Sequence, residues 1–177
     1  MKSFIALACL ALPLAAQEVT ELKPFFIEVY VDQPLSGIKD SVGKNAGLGA
    51  NLGYVFHSQQ RHNGSLAMAF KIDEDQFSDK STKREAHGVG IGPEFTVYFR
   101  PDFKGVFLSG EALFYAWSLT NRNTGDLQNQ TYFRSGGALS VGYRFRNGCC
   151  VEAVWKSVVL DRDLRMESLG LGFRMHL

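Results

Sequence analysis

The sequence lacks any long hydrophobic run that could cross a membrane as a helix. Its one apolar stretch runs from Phe4 to Leu14, whereas a membrane-spanning helix needs roughly 20 apolar residues. Apolar residues at helical spacing are also missing from the rest of the chain. These two absences exclude a helical membrane protein, so any membrane role falls to β-strands.

The chain also lacks an excess of charge of either sign. The chain carries 19 Lys and Arg residues against 18 Asp and Glu residues. A nucleic-acid-binding surface is strongly basic, so this balance argues against nucleic acid as a partner.

Cysteine is scarce, with three residues in the chain. Cys149 and Cys150 are adjacent, and neighbouring Cα atoms lie about 3.8 Å apart. The Cα atoms of a disulfide are usually about 4.4–6.8 Å apart. A bridge between these two residues is therefore not expected. They are either small apolar residues at a turn or partners in an intermolecular bridge, which an oxidising compartment would permit.

The N-terminus carries the three parts of a secretory signal peptide. Lys2 supplies a positive charge, the stretch from Phe4 to Leu14 is apolar, and Ala15-Ala16 offers small residues for cleavage. We predict that residues 1–16 are a signal peptide and that residues 17–177 form one domain. Cleavage there removes one basic residue and no acidic one, which leaves a neutral chain.

Apolar and polar residues alternate with a period of two along the whole remaining chain, which is typical of β-strands. Eight strands are predicted. They are Phe25–Asp32, Ala46–His57, Ser65–Asp73, Gly88–Arg100, Val106–Leu119, Gly136–Arg146, Cys150–Leu160 and Ser168–Leu177. The connections between them alternate between long and short, with a long polar one from Asp73 to His87. Residues 61–64, 100–102 and 147–148 have good turn chemistry. This alternation is typical of outer-membrane barrels, with short periplasmic turns and longer extracellular loops.

The two faces of the predicted strands differ sharply in character. One face is apolar along nearly every strand, and the other collects all the charged residues. We predict that the charged face lines a filled lumen in which six acids balance six bases, because an unpaired buried charge is costly. The predicted lumen charges are Glu28, Asp32, Lys71, Asp73, Glu94, Arg100, Glu111, Arg144, Arg146, Glu152, Lys156 and Arg174.

Two further features favour a membrane barrel over a soluble barrel with its faces reversed. The charged face is rich in glycine, which is poor filler for a solvated strand but leaves room for long side chains in a crowded lumen. Aromatic residues gather at the predicted periplasmic strand ends, as in an interfacial girdle. The girdle residues are Phe25, Tyr54, Phe56, Phe99, Tyr143, Phe145 and Phe173.

Pro93 falls inside the fourth predicted strand, where it has no N–H to contribute to the ladder. The sequence therefore predicts a β-bulge near the upper part of this strand.

The last nine residues, Leu169 to Leu177, resemble the C-terminal strand of bacterial outer-membrane barrels, although that family usually ends on an aromatic residue. With eight strands, residues 17–177 resemble the small OmpA/OmpX-type barrels. The resemblance implies an all-β, eight-stranded antiparallel up-and-down transmembrane barrel in the outer membrane. It implies outer-membrane lipids and lipopolysaccharide as surroundings, the barrel-assembly machinery as a partner of the last strand, and an unknown extracellular ligand.

Residue types that suit catalysis occur together in the long polar connection. Ser81 could serve as nucleophile, His87 as base and Asp79 as acid. Some eight-stranded barrels are lipid-A acyl hydrolases that use these residue types, but the three residues here match no motif. The run Asp73-Glu74-Asp75 has oxygen ligands that suit calcium but lacks the periodicity of a calcium loop, so we interpret it as a solvated loop tip. No catalytic residue, cofactor or metal is predicted.

The sequence thus predicts a non-enzymatic outer-membrane barrel with a filled polar lumen and exposed loops, in a structural or surface-interaction role. One alternative is an outer-leaflet lipid-modifying enzyme of the lipid-A acyl hydrolase or acyltransferase type. Another is a soluble periplasmic barrel that binds a small apolar ligand.

Overall fold

A computed structural model describes residues 22–37, 45–79, 84–121, 128–160 and 165–177. The predicted signal peptide lies outside these residues. The eight predicted strands are confirmed, and each pairs antiparallel with its neighbours in a closed barrel. The strands are β1 (Phe25–Gly37), β2 (Gly47–Arg61), β3 (Gly64–Asp79), β4 (Arg84–Tyr98), β5 (Gly105–Asn121), β6 (Gln128–Arg144), β7 (Cys149–Val159) and β8 (Arg165–His176).

The barrel closes where the first strand meets the last. In the β1–β8 ladder, Glu28 lies opposite Arg174, and the backbone N–H of Leu177 donates to the carbonyl of Phe25 over 2.7 Å. Closure leaves no sheet edge with unpaired backbone groups along this seam. Both chain ends of the barrel therefore lie at the same end as the connections 62–63, 99–104 and 145–148. We call this the lower end and the opposite one the upper end.

The turns at the lower end are those that the sequence predicts. Residues 62–63 close a two-residue hairpin in which Arg61 pairs with Gly64. Gly148 has a φ of 86°, a left-handed conformation that glycine adopts without strain. In the same turn, Asn147 Oδ1 accepts a hydrogen bond from the N–H of Cys149 over 3.1 Å. This Asn-Gly turn holds β6 and β7 in register.

The predicted contrast between long and short connections fails between β3 and β4. The connection 80–83 at the upper end is shorter than 99–104 at the lower end, because β3 continues to Asp79 and β4 begins at Arg84. Strand pairing depends on backbone hydrogen bonds, so it continues through this polar segment. The run Asp73-Glu74-Asp75, interpreted from sequence as a loop tip, therefore lies within β3.

The β-bulge predicted near the upper part of the strand that contains Pro93 is also wrong, because β4 keeps one register with β3 from Arg84 to Tyr98. Phe70 pairs with Pro93 across β3 and β4 without a shift, and β4 keeps the same register with β5 on both sides of Pro93. Register shifts lie instead in β1, between Pro34 and Ser36, and in β2, between Val55 and His57, where the extra residue is Phe56. The bulge at Phe56 places His57 on the exposed side of the wall, opposite Met68.

The outer face of the barrel carries a continuous apolar band. On β5 this face is apolar from Val106 to Ala116, an 11-residue span that fits the roughly 9–11 residues of a transmembrane strand. Aromatic residues line its lower border, with the rings of Phe25 and Tyr54 5.0 Å apart and those of Tyr143 and Phe145 5.1 Å apart. The alternation predicted from sequence places these side chains on the outside, as observed.

The inner face is filled in three layers along the barrel axis. A lower apolar layer consists of Ala67, Tyr98, Phe103, Phe107 and Cys150. An upper apolar layer consists of Phe77, Ala86, Leu113, Tyr115, Trp117, Val158, Leu160 and Met166. Charged side chains occupy the space between them. The lumen is therefore a packed core rather than an open channel, as expected for eight strands.

Candidate functional site

The charged layer is organised around three cations. The first is Lys71 on β3, whose Nζ lies 2.6 Å from Glu111 Oε1, 3.4 Å from Glu28 Oε2 and 3.6 Å from Glu94 Oε2. Lys71 and these three carboxylates come from four different strands, and all are buried. A single ammonium thus ties β1, β3, β4 and β5 together across the lumen.

The second cation is Arg174 on β8. Its guanidinium binds Glu94 through two hydrogen bonds, of 2.5 Å from Nη1 and 3.0 Å from Nη2. Nη2 also donates to Glu28 over 3.2 Å and to Glu152 over 3.4 Å. The planar fork of Arg suits this bidentate contact. Because Glu28 and Glu94 also contact Lys71, the two cations share their acids in one network.

The third cation is Lys156 on β7, nearer the upper end. Its Nζ lies 2.9 Å from Asp73 Oδ1 and 3.0 Å from Asp75 Oδ1, and it also contacts the hydroxyl of Tyr30. The Tyr30 hydroxyl lies 2.6 Å from both Asp73 Oδ1 and Asp75 Oδ1 and can donate its one proton to either, and Tyr115 donates to Asp73 Oδ2 over 2.6 Å. Two tyrosines and a lysine therefore contact both oxygens of Asp73, whereas Asp75 Oδ2 is buried without a hydrogen-bond partner among the described residues.

Ten of the twelve residues predicted to line the lumen are buried inside the barrel. They are Glu28, Asp32, Lys71, Asp73, Glu94, Glu111, Arg144, Glu152, Lys156 and Arg174.

The other two, Arg100 and Arg146, are exposed in turns at the lower end. β4 ends at Tyr98 and β6 ends at Arg144, so the alternation that assigns them to the lumen no longer applies. Arg100 pairs with Asp102 across 3.2 Å on the surface.

The predicted balance of charge inside the barrel is wrong. Among the described residues that are buried, eight are acids and five are Lys or Arg. The acids that sequence reasoning missed are Asp75 and Asp79, which continue the inward face of β3 beyond the predicted strand end at Asp73. Extending the alternation by six residues would have found both.

Glycines on the inner face make room for aromatic rings of the neighbouring strand. A Cβ atom on any of five of them would overlap a ring directly opposite in the ladder. The pairs are Gly49 with Tyr30, Gly53 with Phe26, Gly88 with Trp117, Gly90 with Tyr115, and Gly142 with Phe107. The glycines predicted to leave space in the lumen therefore do so for specific side chains.

The catalytic candidates considered from sequence do not assemble. Asp79 is buried on the inner face of β3, whereas His87 is exposed on the outer face of β4, and Ser81 lies outside the described residues. The metal candidate Asp73-Glu74-Asp75 is divided in the same way, with Glu74 outside and the two aspartates inside. Neither group converges on a common point.

His87 instead contacts an acid on the outer wall. Its Nε2 lies 3.0 Å from Glu74 Oε1, and both side chains are about half exposed. The residues opposite His87 in the two ladders are Gln76 on β3 and Ser118 on β5. Sequence reasoning missed this group because its residues lie on three separate strands and become neighbours only through strand pairing.

The two adjacent cysteines are free thiols at the start of β7. Cys150 is fully buried in the lower apolar layer, and Cys149 is also buried. They pack as small apolar residues, which is one of the two readings that the sequence leaves open.

Known proteins resemble this chain in structure, but none of the sequence comparisons finds a match. No protein-family model matches the chain, and no curated protein matches it.

Three solved structures illustrate the likeness. Neisserial surface protein A has a TM-score of 0.62 at 13% identity, covering 86% of this chain and 97% of that one. The outer membrane enzyme PagL has a TM-score of 0.59 at 14% identity, covering 85% and 99%. The attachment invasion locus protein Ail of Yersinia pestis, in complex with the heparin analogue sucrose octasulfate, has a TM-score of 0.58 at 12% identity, covering 88% and 100%.

These structures match almost end to end, and their likeness to this chain is one of fold. Together with the eight antiparallel strands, the apolar outer face and the charged, filled interior, they establish that the chain has the fold of the small eight-stranded outer-membrane β-barrels.

Proposed function

We propose that the chain is an outer-membrane barrel that does not conduct ions and that acts as a structural support or a surface-interaction protein. The observation that carries this proposal is the division of its wall, apolar outside and charged inside. Leu171 on β8 is 68% exposed and Phe133 on β6 is 60% exposed. A contiguous apolar surface of this extent is a liability in water and is the normal outer surface of a barrel in lipid.

The same division argues against a soluble barrel that holds an apolar ligand. Such a barrel needs an apolar lumen, whereas Lys71, Lys156 and Arg174 and their acids occupy the middle of this one. Lipid and lipopolysaccharide around the outer face, and the assembly machinery at the last strand, are the partners that we propose.

A surface role is supported by the upper parts of the strands. Above Ile72, the outer side of β3 changes to Glu74, Gln76 and Ser78, so the wall continues beyond the apolar band with polar side chains. Neisserial surface protein A and the attachment protein Ail share this fold. We propose that the upper wall is where an extracellular ligand would bind.

Fractionation of the cell envelope tests this proposal. The protein should be found in the outer-membrane fraction, should begin at Gln17 by N-terminal sequencing, and should migrate faster in a gel before heating than after it. A variant that carries Lys in place of Leu10, within the apolar part of the predicted signal peptide, serves as the control and should stay in the cytoplasm. Recovery of the native protein in the soluble periplasmic fraction would overturn the proposal.

A lipid-modifying enzyme is the second candidate function. The specific observation in its favour is the pairing of Glu74 with His87 on the outer wall at the upper border of the apolar band. The fold is also shared with the outer membrane enzyme PagL.

A further inference from the structure

The lower end of the barrel carries an exposed base at each of the four places where the chain leaves the wall. We call these residues the basic ring: Lys23, Arg61, Arg100 and Arg146. They lie before β1, at the end of β2, between β4 and β5, and between β6 and β7. Because these places alternate with the strands around the closed barrel, the four bases surround its lower rim.

Acids that could neutralise the ring are scarce. Residues 22–24, 61–63, 99–104 and 145–148 contain one acid, Asp102. Its Oδ2 lies 3.2 Å from Arg100 and 3.9 Å from Lys104, so two bases already share it. The other three members of the ring make no ion pair within the described residues. The rim therefore keeps an excess of positive charge.

The upper end differs in this respect. The exposed and half-buried charges on its described strand ends are three bases and three acids, namely Arg84, Arg134, Arg165, Glu74, Glu85 and Glu167. Within the part of the chain that the structure describes, the positive excess is therefore confined to the lower rim. A ring of like charge attracts anions to that end of the molecule.

The ring lies next to the aromatic border of the apolar band. Phe99 and Phe145, both exposed on the outside, each immediately precede a member of the ring. Lys23 precedes Phe25, another exposed residue of this border, by two positions. Aromatic residues on a membrane barrel mark the level of the lipid headgroups. The ring is therefore at the depth of the phosphate groups of the surrounding leaflet.

An apolar groove leads up the outer wall from the same border. It has a volume of about 390 Å³ and crosses β1, β2 and β3. The side chains that line it include Phe25, Ile27, Leu52, Tyr54, Phe70 and Ile72. Phe25 and Tyr54 at its lower edge belong to the aromatic border. A lipid with an acyl chain in this groove would have its headgroup at the level of the ring.

We propose that the basic ring binds the phosphate groups of anionic phospholipids in the leaflet around the lower end, with an acyl chain of one such lipid in the groove. This inference rests on the membrane placement in the proposed function and adds the class of lipid. The charges are complementary, because an anionic lipid such as phosphatidylglycerol has a net negative charge and phosphatidylcholine has none. Three of the four ring members are Arg, whose planar fork can donate two parallel hydrogen bonds to one phosphate.

The test uses the full-length protein folded into phosphatidylcholine vesicles in which a small fraction of the lipid has brominated chains. That fraction is either phosphatidylglycerol or phosphatidylcholine, at equal amounts. The reporter is the tryptophan that Tyr54→Trp introduces at the groove, in a Trp155→Phe background. Trp117 remains in this protein but is fully buried, so quenching reports lipid at the groove.

We expect brominated phosphatidylglycerol to be enriched at the reporter about fivefold over brominated phosphatidylcholine, which is the gain from one Lys or Arg near an anionic surface. The enrichment should disappear at about 1 M salt, where the Debye length is about 3 Å.

Two triple variants carry the reporter and remove equal charge from opposite ends. The lower-end variant combines Lys23→Gln, Arg61→Gln and Arg146→Gln, the ring members without an ion pair within the described residues. It should lose the enrichment. The upper-end variant is the matched control and combines Arg84→Gln, Arg134→Gln and Arg165→Gln. It should keep the enrichment, because the upper end has no positive excess among the described residues.

Failure of this inference can be told from failure of the membrane placement. Quenching of Trp155 by brominated phosphatidylcholine, in protein without the reporter, measures insertion without using the ring. Inserted protein whose reporter is quenched equally by the two lipids overturns the inference, as would follow if the ring bound an acidic polymer instead of lipid. Enrichment that survives in the lower-end variant overturns it as well.

Discussion

Lys71 Nζ lies 2.6 Å from Glu111 Oε1 at the centre of the barrel, with no solvent around either group. The same ammonium is within 4 Å of Glu28 and Glu94, so one cation offsets part of the repulsion among three neighbouring acids. In a dry interior this contact is needed to keep the carboxylates buried.

Replacing Lys71 by Met should therefore destabilise the barrel strongly. The methionine fills much of the same space, but Glu111 loses its ion pair and three carboxylates lose a shared cation. Breaking a buried pair by removal of one partner costs about 3–5 kcal/mol. Equilibrium unfolding in urea, followed by tryptophan fluorescence, measures the difference from the unmodified protein.

Arg100→Met is the matched control. Arg100 pairs with Asp102 on the surface, and exposed ion pairs contribute about 0–1 kcal/mol. Equal effects of the two substitutions would contradict the claim that the interior network, rather than charge in general, stabilises the barrel.

The glycine–aromatic pairs make a second prediction. Gly88→Val should destabilise the fold by about 1–3 kcal/mol, the usual cost of overpacking, because its Cβ would overlap the Trp117 ring. Combining it with Trp117→Ala should cost less than the sum of the two single substitutions, since the ring is then absent. The same urea titrations give this coupling energy.

Gly110→Ala is the control for that pair. Gly110 lies on the outer side of β5, where an added Cβ meets Leu139 Cδ2 at an ordinary 3.6 Å. The free energy of unfolding of the Gly110→Ala variant should stay close to that of the unmodified protein. A loss as large as that of Gly88→Val would show that both substitutions act through strand propensity and not through the packed lumen.

A third prediction concerns the lipid-facing side of β6. Val141 is 50% exposed within the apolar band, so Val141→Arg should lower the free energy of unfolding by about 2–4 kcal/mol near the bilayer midplane. Ser140→Arg, one residue away, would crowd the lumen, where Ser140 contacts Ser109 and Glu152.

A cysteine placed at position 97 or 141 should resist water-soluble thiol reagents in folded protein, and rapid labelling would contradict the assignment.

Much of the fold follows from alternation alone. The outward valines and inward charges of β6 and β7 lie where the period of two predicts, because successive side chains along a strand point to opposite faces. The alternation fails where the backbone departs from it. The bulge at Phe56 displaces His57, and the strand ends before Arg100 and Arg146 leave those two residues in solvent.

The contact between Glu74 and His87 shows the limit of sequence reasoning most clearly. Glu74, His87 and Ser118 belong to separate strands, and their neighbourhood depends on the exact register of two ladders. A slip of one residue would move His87 to the other face. Nothing local in the sequence sets that register across the polar segment, so the sequence alone offers only residues near His87 in the chain, such as Asp79 and Ser81, as its partners.

The filled lumen predicts that the barrel conducts no ions. The charged layer lies between two apolar layers, with Phe103 and Phe107 below it and Phe77 and Trp117 above it. Planar-bilayer recordings of the purified, folded protein should show no stable single-channel steps. Reproducible, ion-selective steps would show that these layers open, and would favour a channel function.

The central claim, that the apolar face meets lipid while the charged face is enclosed, is tested most directly by the two tryptophans. Trp155 on β7 faces outward and is 40% exposed, whereas Trp117 on β5 faces inward and is fully buried. Each is isolated by replacing the other with Phe, and each variant is folded into vesicles whose lipid chains carry bromine, a contact quencher of indole fluorescence.

Relative to vesicles without bromine, the Trp117→Phe variant, which retains Trp155, should lose most of its fluorescence. The Trp155→Phe variant, which retains Trp117, should lose little. Equal quenching of the two variants, or stronger quenching of Trp117, would contradict the assignment of the two faces.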